Sequence, residues 1–158
     1  MHPDCRAFIS GDHVRQTLDS KRHILVDVNG IPLALRLTAA NWHDSKEIVA
    51  LVNTVPPVRQ CAGRPRRPAK LHADKGYDVA PVRRALRRRG ITPRIARRGM
   101  DTGQRLVRHR WAVERTLAWF SRYRRLVNRC GRRADIVSGF RHRAAGLICW
   151  RVVQRWLY

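Results

Sequence analysis

The sequence has 158 residues, and its 34 Lys and Arg against 11 Asp and Glu give a formal net charge of +23 at pH 7. This length fits one domain, and a hydrophobic fraction of 44% supports a buried core and speaks against wholesale disorder. So large a basic excess favours a polyphosphate partner, first of all a nucleic acid, over an acidic protein or a membrane surface.

Neither the cysteines nor the apolar runs indicate export or membrane insertion. Four cysteines lie far apart, without zinc-site spacing: Cys5, Cys61, Cys130 and Cys149. The longest nearly unbroken apolar run, Ala144 to Trp150, is far shorter than the ~20 residues that span a bilayer. The N-terminus also lacks the basic and then apolar segments of an export signal. We therefore expect a cytoplasmic protein with reduced cysteines and no membrane span.

The first regular pattern predicts a β-hairpin followed by a helix. Apolar residues fill His23–Val28 and Ile31–Leu37, and the Asn29–Gly30 pair between them is typical of a type I′ turn, whose two central residues have positive φ. The segment Asp44–Glu47 has the pattern of a capping box, with Asp44 as N-cap. Helical spacing of apolar residues continues from there to Val55.

A basic, proline-rich segment comes next. Residues 56–70 contain several prolines and no apolar period, which predicts a loop close to phosphate.

The chain then returns to regular structure. Lys70–Asp74 is predicted as a short strand, and Asp78 with Pro81 as the N-cap and first-turn proline of the next helix. That helix ends at Gly90. It directs Val82, Ala85 and Leu86 inward and four arginines outward: Arg83, Arg84, Arg87 and Arg88.

The C-terminal half predicts one more strand and two long helices. Ile91–Ala96 has the pattern of a strand, and from Leu106 onward Val113, Leu117 and Phe120 have helical spacing. A second amphipathic run extends from Ala134 to Trp156, with a stripe of Phe140, Ala144, Leu147 and Ile148. The order of elements predicts a single domain with a mixed α/β sheet flanked by helices.

Two carboxylates stand out as candidates for chemistry. Asp74 ends a predicted strand beside a glycine, at the carboxyl edge where open α/β sheets bind ligands, although it could instead cap the following turn. Glu114 lies next to the apolar stripe of its helix, and an ion pair with Arg110 is the alternative role. On a basic surface, such carboxylates suit phosphodiester cleavage by two Mg²⁺ ions held ~3.5–4 Å apart.

Two other groups of residues are weaker candidates for a functional site. His43, Asp44 and Ser45 are adjacent in sequence, so they cannot form a nucleophilic triad at a helix start. The spacing of four residues between Trp119 and Tyr123 favours packing over base stacking.

Six ordered segments resemble the catalytic half of bacterial insertion-sequence DDE transposases, and the match covers nearly the whole chain from about Ser10. They are His23–Thr38, Ala40–Asp44, Ala73–Asp78, Arg89–Pro93, Ile95–Arg98 and Arg110–Trp119. The resemblance implies an RNase H-like fold in which three carboxylates bind two divalent ions, Mg²⁺ or Mn²⁺. It also implies cleavage and strand transfer of double-stranded DNA at the ends of the element.

The resemblance places an acidic residue at two of the three carboxylate positions. Asp74 takes the place of the second carboxylate and Glu114 that of the third, with Arg110 as the basic residue that accompanies the glutamate. Ser10 stands where the family has its first aspartate, which ends the first strand. Asp12 is two residues away and could serve as the catalytic metal ligand only if the backbone shifted by about 6–7 Å. The connection after this strand also looks shortened, and the usual N-terminal DNA-binding region looks absent.

The basic residues are expected to contact DNA phosphates with little base preference. They are Arg64, Arg66, Arg67, Lys70, Arg84, Arg87, Arg88, Arg97, Arg98 and Arg110. The sequence thus predicts a transposase domain, associated with the nucleoid and compatible with a homodimer on DNA, whose activity is impaired by the loss of the first aspartate. The alternative is a basic DNA-binding remnant without catalysis. An RNA-binding protein fits less well, because the aromatic strand motifs of known RNA modules are missing.

Overall fold

The computed structural model of the chain describes residues 6–14, 20–55, 68–97, 104–127 and 133–157, and only the backbone of residues 11–14, 104–110, 125 and 127. Within these residues, no helix combines the length and apolar character that crossing a membrane requires.

One five-stranded sheet organises the fold, and its mixed α/β arrangement with flanking helices is as predicted. Its strands are β1 (Arg6–Val14), β2 (Ser20–Asp27), β3 (Pro32–Ala39), β4 (Lys70–Ala73) and β5 (Thr92–Ile95). They lie side by side in the order β3, β2, β1, β4, β5. β2 runs antiparallel to β1 and β3, whereas β1, β4 and β5 are parallel to one another. The sheet is therefore mixed, with β1 at its centre.

Helices cover both faces of this sheet. They are α1 (Asp44–Thr54), α2 (Ala80–Arg88), α3 (Gln104–Ser121), α4 (Arg124–Val127) and α5 (Ala134–Leu157), with a 3₁₀ turn at Lys75–Tyr77. Alternate strand residues point to opposite faces. Leu25 and Leu71 therefore pack with α1 and α2 in one apolar core, while Phe8 and Val26 pack with α3 and α5 in the other.

The hairpin is confirmed, but its turn is not type I′. Gly30 has φ of 77°, whereas no described residue other than glycine has positive φ, so Asn29 does not. The Gly30 amide donates to the Asp27 carbonyl, and the Asp27 amide donates to the carbonyl of Ile31. This is a three-residue loop with the left-handed glycine at its end. The Asp27 carboxylate stabilises it by accepting from the amides of Asn29 and Ile31.

The helix α1 is confirmed, but the prediction that Asp44 caps it is wrong. The N-cap is His43, whose ring accepts from the Ser45 amide. Asp44 already lies in the helix, where its carboxylate is 3.1 Å from the Lys21 ammonium. Glu47 is buried and forms an ion pair with Arg36 at 2.9 Å instead of reaching back to the cap. Asp44 and Glu47 thus form ion pairs with basic residues of β2 and β3 that are distant in sequence, and not the capping contacts that local spacing predicted.

The helix α2 differs from its prediction in the same way. Its N-cap is Val79, without a side-chain bond, and Pro81 lies in the first turn as predicted. Asp78 does not cap, because it binds Arg83 at 2.7 Å. Arg83 also donates to the carbonyl of Ile95, so the prediction that it faces outward is wrong, while Arg84, Arg87 and Arg88 are exposed.

Two further differences concern β1 and α5. Apolar periodicity predicted no strand before His23, whereas the structure has β1 there. The family resemblance implied that the first strand ends at Ser10, but residues 11–14 continue to pair with β2. In α5 the buried side chains are Val137, Arg141, Ala144 and Ile148. The predicted stripe was therefore wrong at Phe140 and Leu147, which are exposed.

A buried polar bridge connects β2 to the turn that follows β4. His23 and Tyr77 are almost completely inaccessible to solvent. The Nδ1 atom of His23 is 3.3 Å from the Tyr77 hydroxyl, and its Nε2 atom is 2.9 Å from Oγ1 of Thr38. The side chain of Asp44 lies beside Gly76 in the same turn. This bridge holds the turn against the hairpin and α1.

Burial lowers the pKa of His23, against the opposing effect of nearby Asp44 and Glu47, while Lys21 and Arg36 lower it further. The unfolded chain therefore takes up a proton on this ring at a higher pH than the folded chain does. Its contribution to the free energy of unfolding is present above about pH 6.5 and is lost as the pH falls toward the lowered folded value.

We expect His23→Gln, which does not titrate, to lose less stability than the parent chain between about pH 7.5 and pH 5. Urea unfolding at a series of pH values measures this. His142→Gln, on the exposed surface of α5, is the control and should keep the parental pH dependence. An unchanged slope in His23→Gln would contradict the assignment.

Removing the Tyr77 hydroxyl should be costly, because it leaves the buried His23 ring without this partner. We expect Tyr77→Phe to lower the free energy of unfolding by about 1–2 kcal/mol. Tyr123→Phe is the matched control, since the buried hydroxyl of Tyr123 has no hydrogen-bond partner among the described residues. It should change stability by less than about 0.5 kcal/mol. Equal effects of the two substitutions would show that the bridge contributes nothing.

Candidate carboxylate site

The register of the two central strands places Ser10 next to Asp74. Residues 6–9 of β1 pair in parallel with residues 70–73 of β4, and the last pair is Ile9 with Ala73. The next residue in β1 is Ser10, and the residue that directly follows β4 is Asp74. The position that the family resemblance gives to the first carboxylate is thus adjacent to that of the second.

Both residues belong to the face of the sheet that α3 covers. Ala73 and Ile9 point into the core under α1 and α2. Phe8 points to the other face, where it stacks on His72 with ring centroids 4.9 Å apart. Because side chains alternate along strands, Ser10 follows Phe8 and Asp74 follows His72. This is the face on which the helix of Glu114 lies.

Asp74 also has the local role that the sequence left open. Its backbone is extended, and its Oδ1 accepts a hydrogen bond of 2.7 Å from the Lys75 amide, which begins the 3₁₀ turn. The side chain is exposed. One carboxylate oxygen therefore orients the residue at the strand end, and this arrangement is compatible with a cation on the other oxygen.

Glu114 is carried by a helix that is fixed to the hairpin turn. The Thr116 hydroxyl donates to the Gly30 carbonyl, and a Cβ atom on Gly30 would come within 2.9 Å of the Ala112 carbonyl oxygen. Ala112, Val113 and Thr116 are buried, whereas Glu114 is exposed. Glu114 is therefore more accessible to solvent than its predicted position at the boundary of the buried face implies. Its alternative partner, the Arg110 side chain, lies outside the described residues.

The third candidate, Asp12, lies farther along β1. The pairing with β2 continues without a shift through Ser10 and Ile24 to Asp12 and Arg22. The backbone position of Asp12 is therefore two residues beyond Ser10, about 6–7 Å along the strand. Among the residues whose side chains are described, which exclude that of Asp12, no three His, Cys, Asp or Glu residues form a cluster that could hold a metal.

The predicted phosphate contacts that the structure describes lie on different parts of the fold. Arg64, Arg66, Arg67, Arg98 and the side chain of Arg110 are outside the described residues. Arg84, Arg87 and Arg88 are exposed on α2, which packs on the face of the sheet opposite α3. Lys70 begins β4, and so lies at the opposite end of that strand from Asp74, while Arg97 is exposed just after β5.

A basic feature that the sequence reading missed lies on α3 itself. The Arg115 guanidinium is 5.0 Å from the ring centroid of Trp119 and 5.8 Å from that of Trp111. The spacing of four residues on both sides of Arg115 was the available signal. Trp119 packs partly against the core, as predicted, whereas the Trp111 ring is 47% exposed.

Comparisons with known proteins identify the family of the chain. A sequence model of the family described as "Transposase DDE domain" matches residues 7–147. A Burkholderia cepacia protein named "Putative transposase for insertion sequence element IS402" is 47% identical over 137 residues, which make up 86% of this chain and 65% of that protein. The chain therefore spans somewhat less than two thirds of the length of this relative.

Solved structures give a likeness at the level of the fold. A chain of the simian T-cell lymphotropic virus intasome, solved by cryoEM with the PP2A regulatory subunit B56 gamma, matches with a TM-score of 0.57 and 13% identity over 90% of this chain and 47% of that one. The catalytic core domain of BIV integrase has a TM-score of 0.47 and 12% identity over 78% of this chain and 69% of its own. The fold is RNase H-like. With its family model matched over most of its length, the chain belongs to the DDE transposase domain family.

Proposed function

We propose that this chain is the catalytic domain of an insertion-sequence transposase that cleaves and joins DNA with divalent metal ions, and that the serine at position 10 impairs it. The observation that carries the proposal is the register that sets Ser10 beside Asp74 on the face covered by α3. Sequence identity to the Burkholderia cepacia relative supports the same function.

The available donors fit a hard divalent cation, but incompletely. Asp74 and Glu114 offer exposed carboxylate oxygens, which Mg²⁺ and Mn²⁺ prefer. Ser10 offers only a neutral hydroxyl. Asp12 remains the candidate for a third anionic ligand, at a backbone position two residues too far along β1. Two carboxylates suffice to attract one ion, whereas two adjacent dications call for more negative charge.

The protein groups have separate roles in this proposal. Bound divalent ions would activate the attacking oxygen and stabilise charge on the leaving oxygen. Asp74 is oriented by the Lys75 amide, and Glu114 is set by the contact of its helix with the hairpin turn. Aspartate at position 10 would add the missing negative charge beside Asp74 without any movement of the backbone.

The partner we propose is double-stranded DNA, which also implies association with the nucleoid. A net charge of +23 suits binding to the phosphate backbone. The exposed arginines of α2 lie on the opposite face from α3. They would therefore hold a different stretch of DNA from the one that enters the carboxylate site.

A second function is favoured by the serine itself. Without a third anionic ligand, the chain would keep its basic surface and bind DNA without cutting it. Metal-dependent nicking separates this function from the first.

Phosphate contacts predict a specific response to salt. Arg84→Ala, Arg87→Ala and Arg88→Ala together should flatten the slope of log affinity against log salt by about 0.9 for each phosphate contact that is lost, and should weaken all DNA sequences alike. Fluorescence anisotropy with two unrelated duplexes at several salt concentrations measures both effects. The triple variant Arg64→Ala, Arg66→Ala, Arg67→Ala removes the same number of positive charges from the predicted basic loop and tests that segment. An unchanged slope in either variant would remove that segment from the interface.

Restoring the carboxylate should restore activity. We expect Ser10→Asp to raise nicking of supercoiled plasmid in Mn²⁺ by at least about tenfold over the parent chain, equivalent to about 1.4 kcal/mol of transition-state stabilisation. Adding Asp74→Asn or Glu114→Gln to Ser10→Asp should abolish the gain and weaken Mn²⁺ binding measured by calorimetry. Ser10→Asn, similar in size and uncharged, is the matched control and should stay at the parental level.

The role of Asp12 is decided in the same assay. If Asp12 has taken over as ligand, Asp12→Ala should abolish the nicking of the parent chain, and Ser10→Asp should change little. Robust cleavage that survives Ser10→Ala combined with Asp12→Ala would refute the three-carboxylate account of this chain.

A further inference from the structure

The outer surface of α5 carries a row of large apolar side chains. Leu147 is 51% exposed, Trp150 58% and Leu157 70%, and Ile136 and Phe140 are exposed as well. The buried residues of the helix, among them Ala144 and Ile148, occupy a different side. Isolated exposed apolar residues are ordinary on a protein surface, but a contiguous row along one helix marks an interaction site.

The spacing of this row is that of a coiled-coil seam. Its positions alternate by four and three residues: Ile136, Phe140, Arg143, Leu147, Trp150, Gln154 and Leu157. Such a repeat is the pattern by which one helix packs along another. We call these seven positions the α5 seam. The helix is 24 residues long, about 36 Å at 1.5 Å per residue, which is enough for several layers of side chains.

The backbone beside the seam is open to a neighbour. Gly139 and Gly146 flank the seam on the side away from the core, and a Cβ atom added to either would meet nothing within 4 Å. On the side toward α4 a groove of about 400 Å³ runs along the seam, lined in part by Tyr123, Leu126 and Phe140. A helix laid on the seam would therefore find room on both sides.

The apolar area of the seam approaches what a stable dimer needs. Ile136 is 47% exposed, Phe140 37% and the adjacent Val153 46%. Together with Leu147, Trp150 and Leu157 they expose the equivalent of about three large side chains, or roughly 600 Å² at ~200 Å² each. A standard interface buries about 800 Å² on each partner. The aliphatic parts of Arg143 and Gln154 supply much of the remainder.

The two polar residues of the seam select an orientation. In a parallel pair, Arg143 would meet Arg143 of the second copy in one layer, which places like charges together. In an antiparallel pair, one register matches Phe140 with Leu157, Leu147 with Trp150 and Arg143 with Gln154 of the second copy. The two Arg143 side chains are then 11 positions apart along the axis, about 16 Å, beyond the ~8 Å Debye length at physiological salt. Arg151 and Arg155 of the second copy come nearly level with Arg143, but they lie beside the seam and not in it.

We propose that α5 is a self-association surface, on which a second copy of this chain packs its own α5 antiparallel in this register. The interface is isologous, so it closes as a two-fold dimer. It does not depend on metal binding or on DNA cleavage, and its failure would leave the proposed function untouched.

Sedimentation equilibrium of the full chain without DNA, in about 0.3 M NaCl to screen its net charge, tests the association. The expected result is the mass of two chains, and Leu147→Glu with Trp150→Glu should give the mass of one with unchanged circular dichroism. Trp156→Glu is the matched control, because Trp156 is 80% exposed on the same helix but outside the seam. It should remain dimeric.

Disulfide trapping tests the orientation without disturbing the fold. In a chain whose four cysteines are replaced by Ser, Phe140→Cys mixed with Leu157→Cys should form a disulfide between unlike chains, and neither alone should form one efficiently. A parental monomer, or dissociation by Trp156→Glu as well, would overturn the proposal and leave the seam to another partner. Efficient trapping of Phe140→Cys with itself would overturn the antiparallel register.

Discussion

The parallel pairing of β1 with β4 is the constraint on which the rest of the structure depends. It joins segments about 60 residues apart and brings the side chains of residues 6–9 level with those of 70–73. A slip of one residue would exchange the two faces of β1, and Ala7 and Phe8 would each enter the wrong core. The same register sets Ser10 beside Asp74. Packing of the two cores and the geometry of the candidate site therefore cannot vary independently.

The sequence was sufficient where neighbouring residues determine the structure. The hairpin and the helices α1, α2, α3 and α5 follow from periodicity and from glycine or proline punctuation, which act over a few residues. Strand β1 was not found by periodicity because its second half contains Ser10, Gly11 and Asp12, and its pairing is determined by β2 and β4. The predictions of the helix N-caps were wrong for a related reason. Asp44 and Asp78 have good capping spacing, but Lys21 and Arg83 offer them charged partners that local spacing does not reveal.

The candidate site divides in the same way. Asp74 could be singled out from its strand end and glycine, and Glu114 from its place beside the apolar stripe, although an ion pair with Arg110 explained Glu114 as well. The family resemblance then assigned the two residues to the second and third carboxylate positions. What no local pattern contains is the face of the sheet on which each element lies. The arginines of α2 were predicted to contact phosphate, but their spacing did not tell on which face of the sheet they lie, and the connection of β4 to β5 places them on the side opposite α3. Phe140 and Leu147 of the α5 seam were likewise predicted to be core residues, since amphipathic spacing does not show which stripe of a helix is covered.

Gly30 contributes no functional group, yet it determines the rotation of a helix. The turn leaves no space for a Cβ atom against the Ala112 carbonyl, and the Thr116 hydroxyl is bound to the Gly30 carbonyl. Each residue of an α-helix turns by about 100°, so displacing α3 by a single position would swing the Glu114 carboxylate to another side of the helix. The position of the Glu114 carboxylate, which the proposed function uses as the third carboxylate, is thus set by a steric contact of the backbone together with one hydrogen bond. If the proposed function holds, a screen for loss of function would be expected to recover substitutions of Gly30 together with those of Asp74 and Glu114, although the glycine itself takes no part in the chemistry.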